Sequence, residues 1–176
     1  VVDLGCGNAG FLSLCLQDAR SVKGIELETK IIEYWKGKIN IEQSFNNKEE
    51  KYDLITAFHL VEHLKDPIDF LSKVRKKMTK DSQLVIEVPN IDDILISSYN
   101  CKEFKEFTFW SQHLFYYNAD TLENILVKSG FKKIKILQIQ RYPLSNHLYW
   151  LSRGLPGGHN VLHSFNDPVL CQQYEE

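Results

Sequence analysis

The sequence predicts an α/β fold built on an open, doubly wound and mostly parallel sheet, and three observations carry that prediction. The chain opens on a short apolar strand, Val1-Val2-Asp3-Leu4, that runs straight into a glycine turn, Gly5-Cys6-Gly7-Asn8-Ala9-Gly10, and then into an apolar stretch with helical character. Strand-like runs then alternate with amphipathic segments of about a dozen residues, the pattern of right-handed βαβ units. The clearest later strand, Tyr52 to His59, is a near-continuous apolar run suited to a sheet covered on both faces. In such sheets ligands sit at the carboxyl ends of the strands.

Each element follows from local signals. After the glycine turn, Phe11, Leu12, Leu14, Cys15 and Leu16 supply an apolar face predicted to be helical. Ser21 to Glu28 reads as a short strand ending in acids, Thr29 to Lys38 as a helix with Ile31, Ile32 and Trp35 inward, and Lys38 to Ser44 as a third strand. A polar loop over Phe45 to Lys51 precedes the fourth strand. Asp66 is placed to cap a helix with Pro67 at its first position and Asp69 near its third, and Ile68, Leu71, Val74 and Met78 form that helix's buried stripe. Leu84 to Val88 is a fifth strand stopped by Pro89, while Ile91 to Lys105 and the aromatic segment Phe104 to Trp110 fit a helix, a lid or a loop. Asn118 to Thr121 starts another helix with Leu122, Ile125 and Leu126 inward and Gly130 as its stop, and Phe131 to Gln140 is predicted as a sixth strand. From Arg141 onward the chain is too rich in aromatics and turn formers for a solvated linker, so it is expected to pack back on the domain or line its substrate side.

With 176 residues and 43% hydrophobic content, a single domain over 1–176 is expected, with a cofactor half at about 1–90 and substrate-side segments at about 91–118 and 141–163. A net charge of −2 with interspersed signs gives no electrostatic footprint for nucleic acid or an anionic membrane, and the basic run Lys73 to Lys77 reads as a solvated helix face. Cys6, Cys15, Cys101 and Cys171 are too scattered for a metal knuckle or a disulfide frame and read as reduced thiols. No apolar run is long enough to span a bilayer and no signal peptide precedes the first strand, so a cytoplasmic location without membrane insertion is expected. The start on a core strand without a methionine reads as a trimmed chain.

The glycine turn is a nucleotide-sized socket, because unpaired backbone N–H groups face a space that no side chain blocks. Two nucleotide classes use such a socket. A dinucleotide needs bare backbone at its pyrophosphate, whereas S-adenosylmethionine carries an ammonium, a carboxylate and a positive sulfonium. Asp3 would repel a pyrophosphate and can pair with an ammonium; alternatively it holds the turn through side chain to backbone bonds. Glu26, roughly 20 residues past the first glycine, is placed to grip ribose hydroxyls, with Glu28 its competitor. Beyond the fourth strand, His59, Glu62 and His63 fall at the carboxyl edge. His63 is the candidate general base with Glu62 as its helper, against a structural role for the pair at the helix start. A rival reading puts His59, Glu62 and His63, completed by His113 or His159, around a divalent ion. His113 and His147 sit among Phe115, Tyr116, Tyr117, Tyr149 and Trp150, rings that either stack on sugars or bases or fill a core.

These residues carry a resemblance. Val1 to Gly10, Tyr52 to Pro67 and Leu84 to Asn90 resemble the Rossmann-like class I S-adenosylmethionine-dependent methyltransferases, with a matching glycine motif and a Glu-His pair followed by an Asp-Pro helix start. Within that class, Gln112-His113-Leu114, Asn118 to Phe131 and Asn146 to His159 are similar to bacterial methyltransferases of sugar and surface-polysaccharide biosynthesis. Set against the family pattern, the chain is expected to lack lid helices before the glycine motif, and nothing after Gln140 reads as the family's seventh, antiparallel strand.

The resemblance implies S-adenosylmethionine as cofactor, held by Asp3, Gly5, Cys6, Gly7, Glu26, Leu27, Phe58 and His59. It implies His63, Glu62 and His113 as catalytic residues without a bound metal, and a small acceptor such as a sugar, nucleotide sugar or polysaccharide precursor. The rival functions are an NAD-dependent Rossmann enzyme, disfavoured by Asp3 and the Glu-His segment, and a cofactor-binding module without catalysis.

Overall fold

The structure, a computed structural model, describes residues 1–45 and 50–175. The chain divides into two compact units, Val1–Pro89 with Thr121–Ile134, and Asn90–Asp120 with Lys135–Glu176.

The first unit is the sheet. Strands β1 (Val2–Leu4), β2 (Lys23–Ile25), β3 (Asn40–Glu42), β4 (Tyr52–Phe58) and β5 (Met78–Glu87) lie in the order β3-β2-β1-β4-β5, and every pair among them is parallel. Helices α1 (Gly10–Cys15), α2 (Thr29–Trp35), α3 (Pro67–Lys76) and α6 (Ala119–Lys128) make the connections and cover. The order turns at β1, which passes to β2 on one side and pairs with β4 on the other, so the ends of β1 and β4 flank the switch point where such sheets bind ligands.

Local chemistry explains the elements. Asp66 Oδ1 accepts the Asp69 N–H at 2.9 Å, Pro67 sits in the first turn, and α3 buries Leu71 and Val74. Cys6, Ala9, Leu12, Ile39 and Ile41 form a core cluster against which Ile31, Ile32 and Trp35 pack from α2. Gly24 lets β2 pass beneath that cluster, since a Cβ there would stand 2.6 Å from Cys6 Sγ. Ser129, just past α6, donates its hydroxyl to Ile68 O on α3 at 3.3 Å, and Gly130 turns the chain out of the helix at φ +91°.

The structure corrects four expectations. The helix after the glycine turn buries only Leu12: Leu14, two positions on, faces the opposite side and is exposed, and Leu16, which would return to the Leu12 face, lies past the helix end at Cys15 and is exposed. The second helix ends at Trp35, two residues ahead of Gly37 at φ +79°. Met78 opens β5 opposite Tyr52 instead of completing the stripe of α3. Residues 131–140 hold no strand among the described residues. Their apolar pattern changes phase: Ile134 and Ile136 turn inward, while Leu137 and Ile139, on the opposite parity, are exposed. Of the expected polar loop, residues 46–49 lie outside the described residues.

The second unit contains α4 (Ile94–Ser97), α5 (Lys102–Thr108), α7 (Leu144–Arg153) and α8 (Pro168–Glu175), with a parallel bridge between Asn90 and Tyr117. The stretch that sequence left open between helix, lid and loop is thus two short helices. Leu95, Cys101 and Trp150 form its core with Phe104 packed against them. The segment after Arg141 is an ordered helix, α7, that buries Ser145, Asn146, His147 and Trp150. Asn146 Oδ1 accepts the N–H of Gly157 at 2.8 Å and of Gly158 at 3.2 Å, which folds the chain back on α7. No described helix is long and apolar enough to cross a membrane.

Candidate active site

At the end of β1, Asp3 stands directly opposite Thr56 of β4. Its side chain is buried and Oδ1 accepts the Thr56 hydroxyl at 2.6 Å. Of the two sequence readings for Asp3, holding the turn is not what the carboxylate does; its partner lies across the sheet. Burial pushes the Asp3 carboxyl above its usual range and the Thr56 hydrogen bond opposes that shift.

The glycine turn then bends over the strand end. Gly5 and Gly7 adopt φ +70° and +49°, and Ala9 follows at +57°. A Cβ on Gly7 would meet no atom within 4 Å, so the turn presents bare backbone to open space. Gly5 and Cys6 both donate their N–H to Ile25 O, at 2.8 and 3.1 Å. The Cys6 side chain points into the core cluster, and burial, reinforced by the charges of Asp3 and Glu26, pushes its thiol up to about 11. A thiol held protonated in this way is not a nucleophile at neutral pH.

Glu26 lies just past β2, where the acid-ended strand was expected, and its carboxylate collects three backbone N–H groups: Gly7 at 2.9 Å, Leu27 at 2.7 Å and Glu28 at 3.1 Å. It therefore ties the glycine turn to the end of β2. Glu28, the competitor, instead caps α2 through the Lys30 N–H. Leu27 is exposed beside Glu26.

The loop after β4 closes over the same edge. Phe58 stacks edge-on to Phe11 with ring centroids 5.2 Å apart, and Leu60 lies against Gly5, its Cδ1 only 3.1 Å from where a Cβ would stand. The following 3-10 helix, Val61–His63, buries Val61 and Glu62 and leaves His63 half-buried. Glu62 is 1% exposed, yet neither carboxylate oxygen accepts a hydrogen bond. Its neighbour is His59, whose Nδ1 is 3.4 Å from Oε1. The other ring nitrogen of His59 is 3.1 Å from Oε1 of Glu87, the last residue of β5.

Asp3, Gly5, Cys6, Gly7, Glu26, Leu27, Phe58, His59, Glu62 and His63 thus all belong to the first unit, at the carboxyl ends of β1, β2 and β4. His113 belongs to the second unit, where its ring packs on Trp110 and Tyr116 at 5.2 and 5.6 Å. His147 is buried in α7, within 2.9 Å of Gln140 Nε2, and burial lowers its pKa against the opposing charge of Asp93. Sequence reasoning missed Thr56 and Glu87. A lone hydroxyl within an apolar strand, and an acid closing one as Asp3 does, were the available signals.

The methyltransferase domain family matches residues 1–136, which include the whole sheet and both loops. A SAM-dependent methyltransferase from Archaeoglobus fulgidus superposes with a TM-score of 0.62 at 24% identity, covering 94% of this chain and 78% of that one. A SAM-dependent methyltransferase from Thermotoga maritima, described as a possible histamine N-methyltransferase, gives a TM-score of 0.59 at 18% identity over 75% of this chain and 63% of its own. The plantazolicin methyltransferase BpumL, solved with a desmethyl substrate analogue and SAH, gives 0.56 at 22% identity over 72% of this chain and 53% of its own. The chain therefore spans less than two thirds of the latter two, and at these identities the likeness shows the fold. No curated protein matches the chain. Carried by the match over residues 1–136, the chain belongs to the methyltransferase domain family, class I enzymes whose methyl donor is S-adenosylmethionine.

Proposed function

We propose that the chain transfers a methyl group from S-adenosylmethionine to a small acceptor, a sugar or a sugar-linked precursor such as a nucleotide sugar, with His63 as general base. The observation that carries this reading is Glu62. A carboxylate that is 1% exposed, with no hydrogen bond on either oxygen and only His59 Nδ1 at 3.4 Å beside Oε1, is suited to accept an O–H or N–H from a bound molecule, and it lies on the loop that closes over the glycine turn.

The residues at the turn fit the donor. Gly7 presents bare backbone to open space, with Gly5 and Cys6 shaping the turn beneath it, Asp3 offers a buried negative charge, and Glu26 with Leu27 borders the socket where a ribose and base would lie. Phe58 and His59 wall it from β4. When bound, the donor supplies a methyl group on a positive sulfonium, which leaves as a neutral thioether. His63 takes the proton from the acceptor group as that group becomes a nucleophile, and Glu62 orients the acceptor or the imidazole. His113 is the further catalytic candidate.

Two measurements test the reading. Calorimetry with S-adenosylmethionine, SAH and NAD is expected to show binding of the first two alone. Transfer of labelled methyl to a panel of nucleotide sugars, sugar phosphates, histamine and azole peptides is expected to mark the sugar set. Labelling confined to the amines or peptides overturns the acceptor class, and donor binding without any transfer supports the non-catalytic module. Unchanged turnover in His63→Ala overturns the general base.

A further inference from the structure

Next to Glu62, on the far side of the His59 ring, stands Glu87, a residue that neither the glycine motif nor the Glu-His pair points to. β4 hands the chain over at His59, which sits at φ +51°, a left-handed conformation uncommon outside glycine. Glu87 grips that residue twice. Its backbone carbonyl accepts the His59 N–H at 2.9 Å, extending the β4–β5 ladder by one rung, and its carboxylate Oε1 lies 3.1 Å from Nε2 of the ring. The opposite ring nitrogen, Nδ1, faces Glu62 Oε1 at 3.4 Å. The imidazole therefore spans two carboxylates of different character. Glu87 is half-exposed at 51% and Glu62 buried at 1%.

We propose that Glu87 and His59 are positioning residues for the methyl-transfer step, forming a Glu87–His59–Glu62 bridge that fixes the strained exit of β4 and with it the Glu62 carboxylate. This rests on the methyltransferase reading above, in which Glu62 orients the acceptor or the base. The strained backbone is where the bridge acts. His59 leaves β4 in a left-handed conformation that is uncommon outside glycine, and Glu87 supplies a constraint at each end of the residue, backbone and ring. The turn that follows buries Val61 and Glu62, so a relaxed His59 would swing Glu62 away from its buried position. Bases and acceptors misplaced by about 1 Å lose catalysis steeply while a donor held at another loop does not. Glu87 bonds to His59, whereas the glycine turn is held by Glu26 through the Gly7 N–H, so donor affinity separates the two functions.

The test compares wild type with Glu87→Ala and Glu87→Gln. Three quantities are read: donor affinity by calorimetry, steady-state kinetics with the acceptor found in the panel, and the side-chain carboxyl 13C resonance of Glu62 in glutamate-labelled protein. Glu87→Ala is expected to lower kcat by about 10- to 100-fold while donor Kd stays within about twofold, and to shift the Glu62 resonance. Glu87→Gln, whose amide oxygen still accepts from the ring, is expected to restore most of kcat and return the resonance toward wild type. An unmoved Glu62 resonance in Glu87→Ala overturns the bridge, as does unchanged kcat, or a loss of donor affinity equal to the loss of kcat. If wild type transfers methyl to nothing in the panel, the functional reading fails separately, and the resonance comparison still decides the bridge.

Discussion

Two acids at the same sheet edge, Glu26 and Glu62, stand in opposite states of satisfaction. Glu26 is partly exposed and accepts three backbone N–H groups from two loops, so it is part of the scaffold before any ligand arrives. Glu62 is buried and accepts none. A carboxylate that completes its own hydrogen bonds preorganises a loop, whereas one that is buried and unsatisfied is a site kept for a partner. On the proposed reading the glycine turn, walled by Phe58 and His59, serves the donor, and Glu62 with His63 serves the acceptor and its proton.

That contrast is broken or sharpened by substitution. The largest effect is expected for Glu62→Gln, where turnover falls by roughly 100-fold or more as the acceptor or the His63 imidazole loses its orientation, while thermal stability is unchanged or higher. Melting curves and methyl-transfer rates check it, and a lower Tm would mean that Glu62 is structural after all. Glu26→Ala is expected to do the reverse. It orphans the three N–H groups, lowers stability by about 1 kcal/mol and weakens donor binding about 10-fold or more, read by denaturant melts and calorimetry.

Asp3→Asn sharpens the donor side by separating affinity from stability. Burial raises the Asp3 pKa above its ordinary 3.8, so the folded chain holds this proton to higher pH than the unfolded chain. The group's contribution to stability is therefore fullest below 3.8 and is lost as pH rises through the folded value, which makes the charged form a cost at neutral pH. Asn keeps an acceptor for Thr56 without that charge. A Tm at pH 7 that rises by a few degrees, with weaker S-adenosylmethionine binding, is expected; a fall in Tm would show that the charge itself holds the sheet.

The smallest effect belongs to the second unit. His147 is buried with its pKa lowered below 6.5, so the unfolded chain protonates first as pH falls. Its contribution to stability is present above 6.5 and is lost as pH drops through the folded value. His147→Gln is expected to flatten the decline of Tm as pH falls below 6.5, leaving donor affinity untouched.

Much of this edge was legible in the residues because its signals are local. Asp66-Pro67 with Asp69 specifies a helix start within four residues, and the spacing from Gly5 to Glu26 places an acid at the end of β2. What was not legible depends on pairing between distant strands. Glu26 reaches Gly7 across 19 residues and His59 reaches Glu87 across 28, contacts set by which strands neighbour one another. Thr56 became Asp3's partner for the same reason, through the β1–β4 register. The failed strand over residues 131–140 shows the converse: apolar residues of both parities lie in one segment, and only a consistent face can join a ladder.

The central claim is that donor binding and the Glu62 function reside in separate loops, and one titration tests it most directly. SAH is titrated into wild type and Glu62→Gln protein by calorimetry, the substitution having removed the charge without changing the side chain's size. Dissociation constants within about twofold of each other are the predicted result. A Glu62→Gln affinity weakened 10-fold or more, about 1.4 kcal/mol, would place Glu62 in the donor site and contradict the division.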